Sequence, residues 1–219
     1  MKKFIFLFTL LLSSFFLLAF SPSIENNFPL FGYTILIDAG HGGEDPGSVY
    51  MDEYEKDYNL MFSNSLKIIL EEYGANVVMV RGGDYDLSSP NVSRRKRSDF
   101  NNRIKLIDDS GSDMFISLHM NYLNDSKYYG AQTFFDDNNS ANKTIASIMQ
   151  KNFNQFFSFN KDIKKLDNTK YMYQRIKTKG VLIEFGFISN TTDRQNLKNE
   201  EYRERLADVI AKSIIEYFT

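Results

Sequence analysis

Five short runs rich in β-forming residues, Tyr33 to Ile37, "NVVMV", "MFISL", "GAQTFFD" and "VLIEF", alternate with segments whose apolar residues recur at helical spacing. This alternation constrains the fold more than any other feature, because strand–helix–strand order lays helices against a largely parallel sheet. One helical pattern carries Met61, Phe62, Leu66, Ile69, Leu70 and Tyr73, and Gly74 closes it. A second lies around Phe100, Ile104 and Ile107, a third carries Ile145, Ile148, Met149 and Phe156, and the last runs through Tyr202, Leu206, Val209, Ile210 and Tyr217. At 219 residues and 42% hydrophobic, the chain has material for one core. The expected fold class is a single-domain α/β protein over residues 33–219, with a mostly parallel twisted sheet flanked by helices.

The start of the chain has a different character. Lys2 and Lys3 precede an uncharged apolar run from Phe4 to Phe20, followed by small residues and Pro22. Residues 1–23 therefore read as a signal peptide or an uncleaved N-terminal anchor, and 24–32 as a polar connector. The expected working place is outside the cytoplasmic membrane, with membrane contact only through this segment. A net charge of −2 gives no reason to expect nucleic-acid binding. The absence of cysteine excludes disulfides and thiolate metal sites, so any metal must be held by His, Asp or Glu.

Parallel α/β sheets place ligands at the carboxyl ends of their strands. Three polar residues fall at such ends: His41 after "TILIDAG", His119 after "MFISL", and Glu184 in "VLIEF". A phosphate cradle fits the His41 loop poorly, because Glu44, Asp45 and Pro46 stand where an anion and a helix start would be needed. A metal reading requires a third ligand beside the two histidines, and "DEYEKDYNL", with Glu55 near a helix start, can supply one. Either histidine read alone is also consistent with a structural role. Glu184, between Ile183 and Phe185, is costly to desolvate. It is either a strand-end acid satisfied by amides or lysines, or a general base beside a metal.

The blocks "ILIDAGHGGEDPG", "YEKDYNL", "FISLHMN" and "VLIEFGFISNTTD" resemble, in order and setting, the zinc-dependent N-acetylmuramoyl-L-alanine amidases of the amidase_3 family, from about Thr34 to the C-terminus. "SRRKRSDFNNRIKLI" and "GAQTF" are most similar to the germination-specific, CwlD-type branch of spore formers. The resemblance implies Zn2+ held by His41, Glu55 and His119, with Glu184 as the catalytic acid or base. It implies hydrolysis of the amide between the muramic acid lactyl group and L-Ala of peptidoglycan, in spore cortex maturation and muramic-lactam formation for germination. The matching location is the forespore intermembrane or cortex space. Two departures touch no ligand: Met120 stands where the family usually has Ala, and Lys179-Gly180 where Pro-Ala is common.

The alternatives are a zinc peptidase cutting within the stem peptide and a non-catalytic wall-binding module on the same scaffold. No wall-binding repeats are seen, so an accessory protein for localisation or activation is expected. "RRKR", residues 94–97, reads as a basic loop, either a solvated face or a contact for acidic peptide stems or a partner. Asn59, one helical turn from Glu55, either orients it or faces solvent. Asp38 and Asn121 are near enough in sequence to serve as acceptors for the imidazoles. Tyr128 and Tyr129 read as packing or as the lining of a sugar groove. The whole reading requires the imidazoles of His41 and His119 to lie within about 6 Å of each other, given zinc–nitrogen bonds of roughly 2 Å.

Overall fold

The structure, a computed structural model, describes residues 28–167 and 169–219; the leader expected over 1–23 lies outside the described residues. Strand β1 (Thr34–Ala39) is followed by a hairpin of β2 (Val49–Tyr50) and β3 (Glu53–Tyr54), helix α1 (Glu55–Glu72) and β4 (Asn76–Met79). Then come α2 (Arg95–Asp109), β5 (Met114–Asn121), β6 (Gln132–Phe135), α3 (Ala141–Phe157) and β7 (Lys164–Lys165). A single 3-10 turn at Tyr173–Arg175 leads to β8 (Gly180–Phe187), α4 (Thr191–Lys198) and α5 (Glu200–Phe218).

The six-stranded sheet has the order β4-β1-β5-β8-β6-β7. Its first four strands are parallel, and β6 turns antiparallel against β8. The expected α/β architecture is thus present, with the reversal confined to the β6–β7 edge. Alternate side chains of each strand serve two cores, as period-two geometry requires. Ile35, Ile37, Ile116, Leu118, Val181 and Ile183 pack with α1, α3 and α5 on one face. Leu36, Phe115 and Leu182 point the other way, onto a smaller core with Ile107 of α2 and with Tyr173 and Ile176 around the 3-10 turn.

Helix α1 buries Tyr58, Phe62, Leu66 and Leu70, four residues apart, so one stripe faces the sheet. It ends where expected: the amide of Gly74 (φ 88°) donates to Glu71 O and that of Ala75 to Leu70 O, the paired closing bonds that a left-handed residue permits. Two elements differ from the reading above. Helix α2 begins at Arg95, so three residues of "RRKR" form its first turn instead of a loop. Basic residues there oppose the helix dipole and no side chain caps the end. Tertiary pairs outweigh that preference: Arg95 binds Asp86, and the buried Asp99 binds Arg103. The last expected helix, from Tyr202 to Tyr217, is α5, and it is preceded by a short helix, α4, that no periodic pattern announces. Asn190 accepts the Asp193 amide at 2.9 Å to start α4, and Asn199 accepts the Tyr202 amide at 3.0 Å to start α5.

Candidate active site at the carboxyl ends of the strands

Three neighbouring strands deliver the expected residues to one cleft of about 670 Å³. His41 follows β1, His119 sits in β5, and Glu184, its register partner, sits in β8. Glu55 arrives differently. The β2–β3 hairpin carries the chain back, so that Glu55 is the first residue of α1, pointing at the strand ends.

The cluster is tight. His119 Nδ1 lies 2.9 Å and His41 Nε2 3.2 Å from the same oxygen, Glu55 Oε1. The two imidazole rings are 4.9 Å apart and nearly perpendicular, inside the 6 Å limit. One ligand atom from each of the three residues lies within 4.8 Å of the others, a group able to hold a metal ion. Glu55 is further fixed by the Ser48 amide at 2.8 Å on Oε2 and the Met120 amide at 3.2 Å on Oε1. The Met120 amide is free to do this because β1, the strand on that side, ends at Ala39 opposite Leu118, while on the other side the register of β5 and β8 shifts between His119 and Asn121.

The other ring nitrogens have partners that the sequence reading did not assign. His41 Nδ1 bonds Asp45 at 2.9 Å, and His119 Nε2 lies 3.3 Å from the Tyr173 hydroxyl. Neither Asp38 nor Asn121 serves this purpose. Asn59 is fully buried, with its amide 3.1 Å from Gly40 O and 3.4 Å from Glu55 Oε1, so it orients the loop and the carboxylate and does not face solvent.

The loop after β1 enters no helix, which removes the phosphate-cradle reading. Its backbone is instead held by two buried arginines. Arg103 donates to Ala39 O at 3.0 Å and His41 O at 2.6 Å while binding Asp38 at 2.6 Å. Arg81 donates to Ala39 O at 2.8 Å and Gly40 O at 3.0 Å. This grip holds His41 in the left-handed region, φ 61°, which costs a non-glycine residue about 1 kcal/mol or more. Gly40 is required for space: a Cβ there would lie 2.2 Å from Cε1 of His119.

Burial opposes charge on the His41 ring, but the Asp45 and Glu55 carboxylates override it and push its pKa up to about 9. Burial likewise opposes the charge on Glu55, and the two rings outweigh it, holding this carboxyl well below the usual range. His119, more deeply placed and beside His41, is shifted down by burial. Glu184 behaves in the opposite way to Glu55: burial and the neighbouring Glu55 carboxylate raise its pKa to about 8. Its Oε2 is buried with no hydrogen-bond partner among the described residues. Of the two readings of Glu184 in the sequence, the satisfied strand-end acid is the one that does not fit.

A parallel sheet presenting a His–Glu–His cluster with an unpaired carboxylate at its carboxyl edge has the layout of a hydrolase. Comparison with known proteins makes the class specific: residues 35–216 match the Amidase_3 family, N-acetylmuramoyl-L-alanine amidase, and the chain belongs to this family. It is 35% identical over 194 residues to the germination-specific N-acetylmuramoyl-L-alanine amidase of Bacillus subtilis (strain 168), covering 87% of this chain and 82% of that protein. Among solved structures, the CwlD amidase from Clostridioides difficile in complex with the GerS lipoprotein matches with a TM-score of 0.79 and 33% identity, over 85% of this chain and 98% of that one. The catalytic domain of CwlV from Bacillus (Paenibacillus) polymyxa var. colistinus matches with a TM-score of 0.71 and 28% identity, over 85% and 98%. The family and branch read from the sequence blocks are borne out.

Proposed function

We propose that this amidase uses zinc to hydrolyse the amide joining the muramic acid lactyl group to L-Ala of the peptidoglycan stem, in maturing the spore cortex for germination. The observation that carries the reading is the partnerless, buried Glu184 oxygen in the same cleft as the three ligand atoms. Two imidazoles and one carboxylate are a suitable donor set for a catalytic zinc with a position left open. The separations of 2.9 and 3.2 Å are near the roughly 3.3 Å expected between tetrahedral ligands at bond lengths of about 2 Å. His41 Nε2, Glu55 Oε1 and His119 Nδ1 would hold the ion, and when bound it supplies Lewis acidity to the scissile carbonyl and lowers the pKa of water.

The chain's own residues do the rest. Asp45 engages Nδ1 of His41 and leaves Nε2 facing the cluster, and Tyr173 does the equivalent for Nε2 of His119. Glu184 accepts the proton of the attacking water on a carboxylate oxygen and delivers it to the departing L-Ala amine. Burial and Glu55 raise the proton affinity of Glu184, Lys170 and His41 oppose them, and a divalent cation held by the cluster would lower it further.

The relatives are wall or germination amidases by name, which supports a working place on the wall side of the membrane for a catalytic domain over 33–219 preceded by an export segment. Among the described residues no helix is long and apolar enough to cross a membrane. The C. difficile relative is seen with a lipoprotein. An accessory partner of that kind is proposed here too. The test is elemental analysis of the purified protein together with mass spectrometry of digested cortex. Bound zinc and intact stems beginning with L-Ala are expected; cuts within the stem, or full activity without divalent metal, would overturn the reading.

A further inference from the structure

Around the cleft, the acidic lining residues are mostly committed. Asp38 binds Arg103, Asp45 binds His41, and Glu55 binds both histidines. On one wall Lys170 is not committed, nor are Arg97 and Arg175, which lie outside the lining and reach it through the Tyr171 ring. Lys170 lines the cleft beside Tyr171, and its charge acts on Glu184. The guanidinium carbons of Arg97 and Arg175 lie 3.2 and 4.1 Å from the centroid of the Tyr171 ring. Two guanidiniums this close to one ring can only occupy its opposite faces, since on a single face they would collide. Tyr171 is itself anchored by its hydroxyl, which donates to Asn101 Oδ1 at 2.8 Å. None of Lys170, Arg97 and Arg175 pairs with a carboxylate among the described residues. Arg95 and Lys96 of the same helix turn do have such partners, Asp86 and Asp45.

Three exposed cations gathered around one ring without a carboxylate partner among the described residues leave their donors available to an anion, which would also relieve their mutual repulsion. We infer that Lys170, Arg97 and Arg175, arranged around Tyr171, form a subsite for a carboxylate of the acidic stem peptide and select stems by that charge. The inference rests on the amidase reading, which puts the bond to be cut beside Glu184 and so runs the stem along a cleft wall. Planar guanidiniums suit carboxylate recognition, and their stacking on the ring fixes the donors before the ligand arrives.

The test compares zinc-loaded enzyme on two muramoyl peptides that differ only at the residue after L-Ala: D-Glu with a free α-carboxylate, or its amidated form, D-isoglutamine. For the unaltered enzyme, kcat/KM favouring the free acid by about tenfold or more is expected, the difference lying in KM. In R97Q/R175Q that ratio falls towards one, and K170Q lowers it in part. The ratio is insensitive to a uniform loss of folded protein, so a merely structural role would leave it where it was. A calorimetric titration with L-Ala-D-Glu and with L-Ala-D-isoglutamine gives a second readout: the unaltered enzyme binds the free acid more tightly, and R97Q/R175Q loses that preference. No preference in the unaltered enzyme, or equal losses on both substrates, would overturn the subsite and leave these residues a solvated face. Charge-dependent dipeptide binding without cleavage of either substrate would support the subsite and overturn the amidase reading instead.

Discussion

Two carboxylates carried by β1 and β8, the first fully buried and the second half-buried in the cleft wall, have opposite fates. Asp38, in β1, is saturated: Arg103 binds one oxygen at 2.6 Å and the Ser117 hydroxyl the other at 2.7 Å. Burial raises its pKa, but Arg103 and Ser117 together bring it below the usual carboxylate value. Glu184, in β8, has a buried oxygen with no partner among the described residues and a pKa pushed up by burial and by Glu55. Different company separates a carboxylate that holds a loop from one left without a partner. Satisfied polar groups rigidify a site, and unsatisfied ones are tolerated where chemistry needs them.

The sharpest way to break this contrast is at Glu184. E184Q should lower kcat by about a thousandfold, within the range for a lost general acid–base, while zinc content stays full. Its thermal midpoint should hold or rise, since an unsatisfied buried acid is removed; a large fall in midpoint with rate preserved would place Glu184 with Asp38 as a structural group. The converse change, R103M, leaves Asp38 and Asp99 buried without their cation and should cost about 3 kcal/mol or more in urea unfolding. Stability unchanged in R103M would show that the Asp38 network holds nothing. The smallest effect lies in pH. Because the folded pKa of Asp38 is depressed, its contribution is complete above the unfolded carboxylate value and is lost as pH falls through the folded one. Urea midpoints should therefore drop on acidification below about pH 4, and D38N should flatten that limb; an equally steep fall in D38N would assign the acid sensitivity elsewhere.

The unequal legibility of the molecule has the same physical basis. His41, His119 and Glu184 are visible in the sequence because each interrupts or ends an apolar β run, where a polar side chain needs a reason. Glu55 is visible as an acid at a helix start. The residues that position them are not. Arg103 and Asp38 are far apart in the chain, and only the pairing of β1 with β5 and the packing of α2 bring them together. Asp45 is legible as an acid but not as the partner of His41, because its role depends on a left-handed turn that no local pattern announces. The start of α2 is missed for a related reason: three basic residues make a poor first turn by local preference, and the acids and aromatic ring that accept them come from other segments. Helix α4 is unread for a different reason. Among Thr191–Lys198 only Leu197 is apolar, so no helical period is visible there, and the one local signal is the capping residue Asn190.

The far edge of the sheet carries a consequence of its own. It ends in β7, only two residues long and both lysine, with Lys165 paired to Asp137. An outermost strand this short, with two ammonium groups on it, offers no template for another copy to extend the ladder. Crowding the molecule therefore gives this edge no route to strand-by-strand growth.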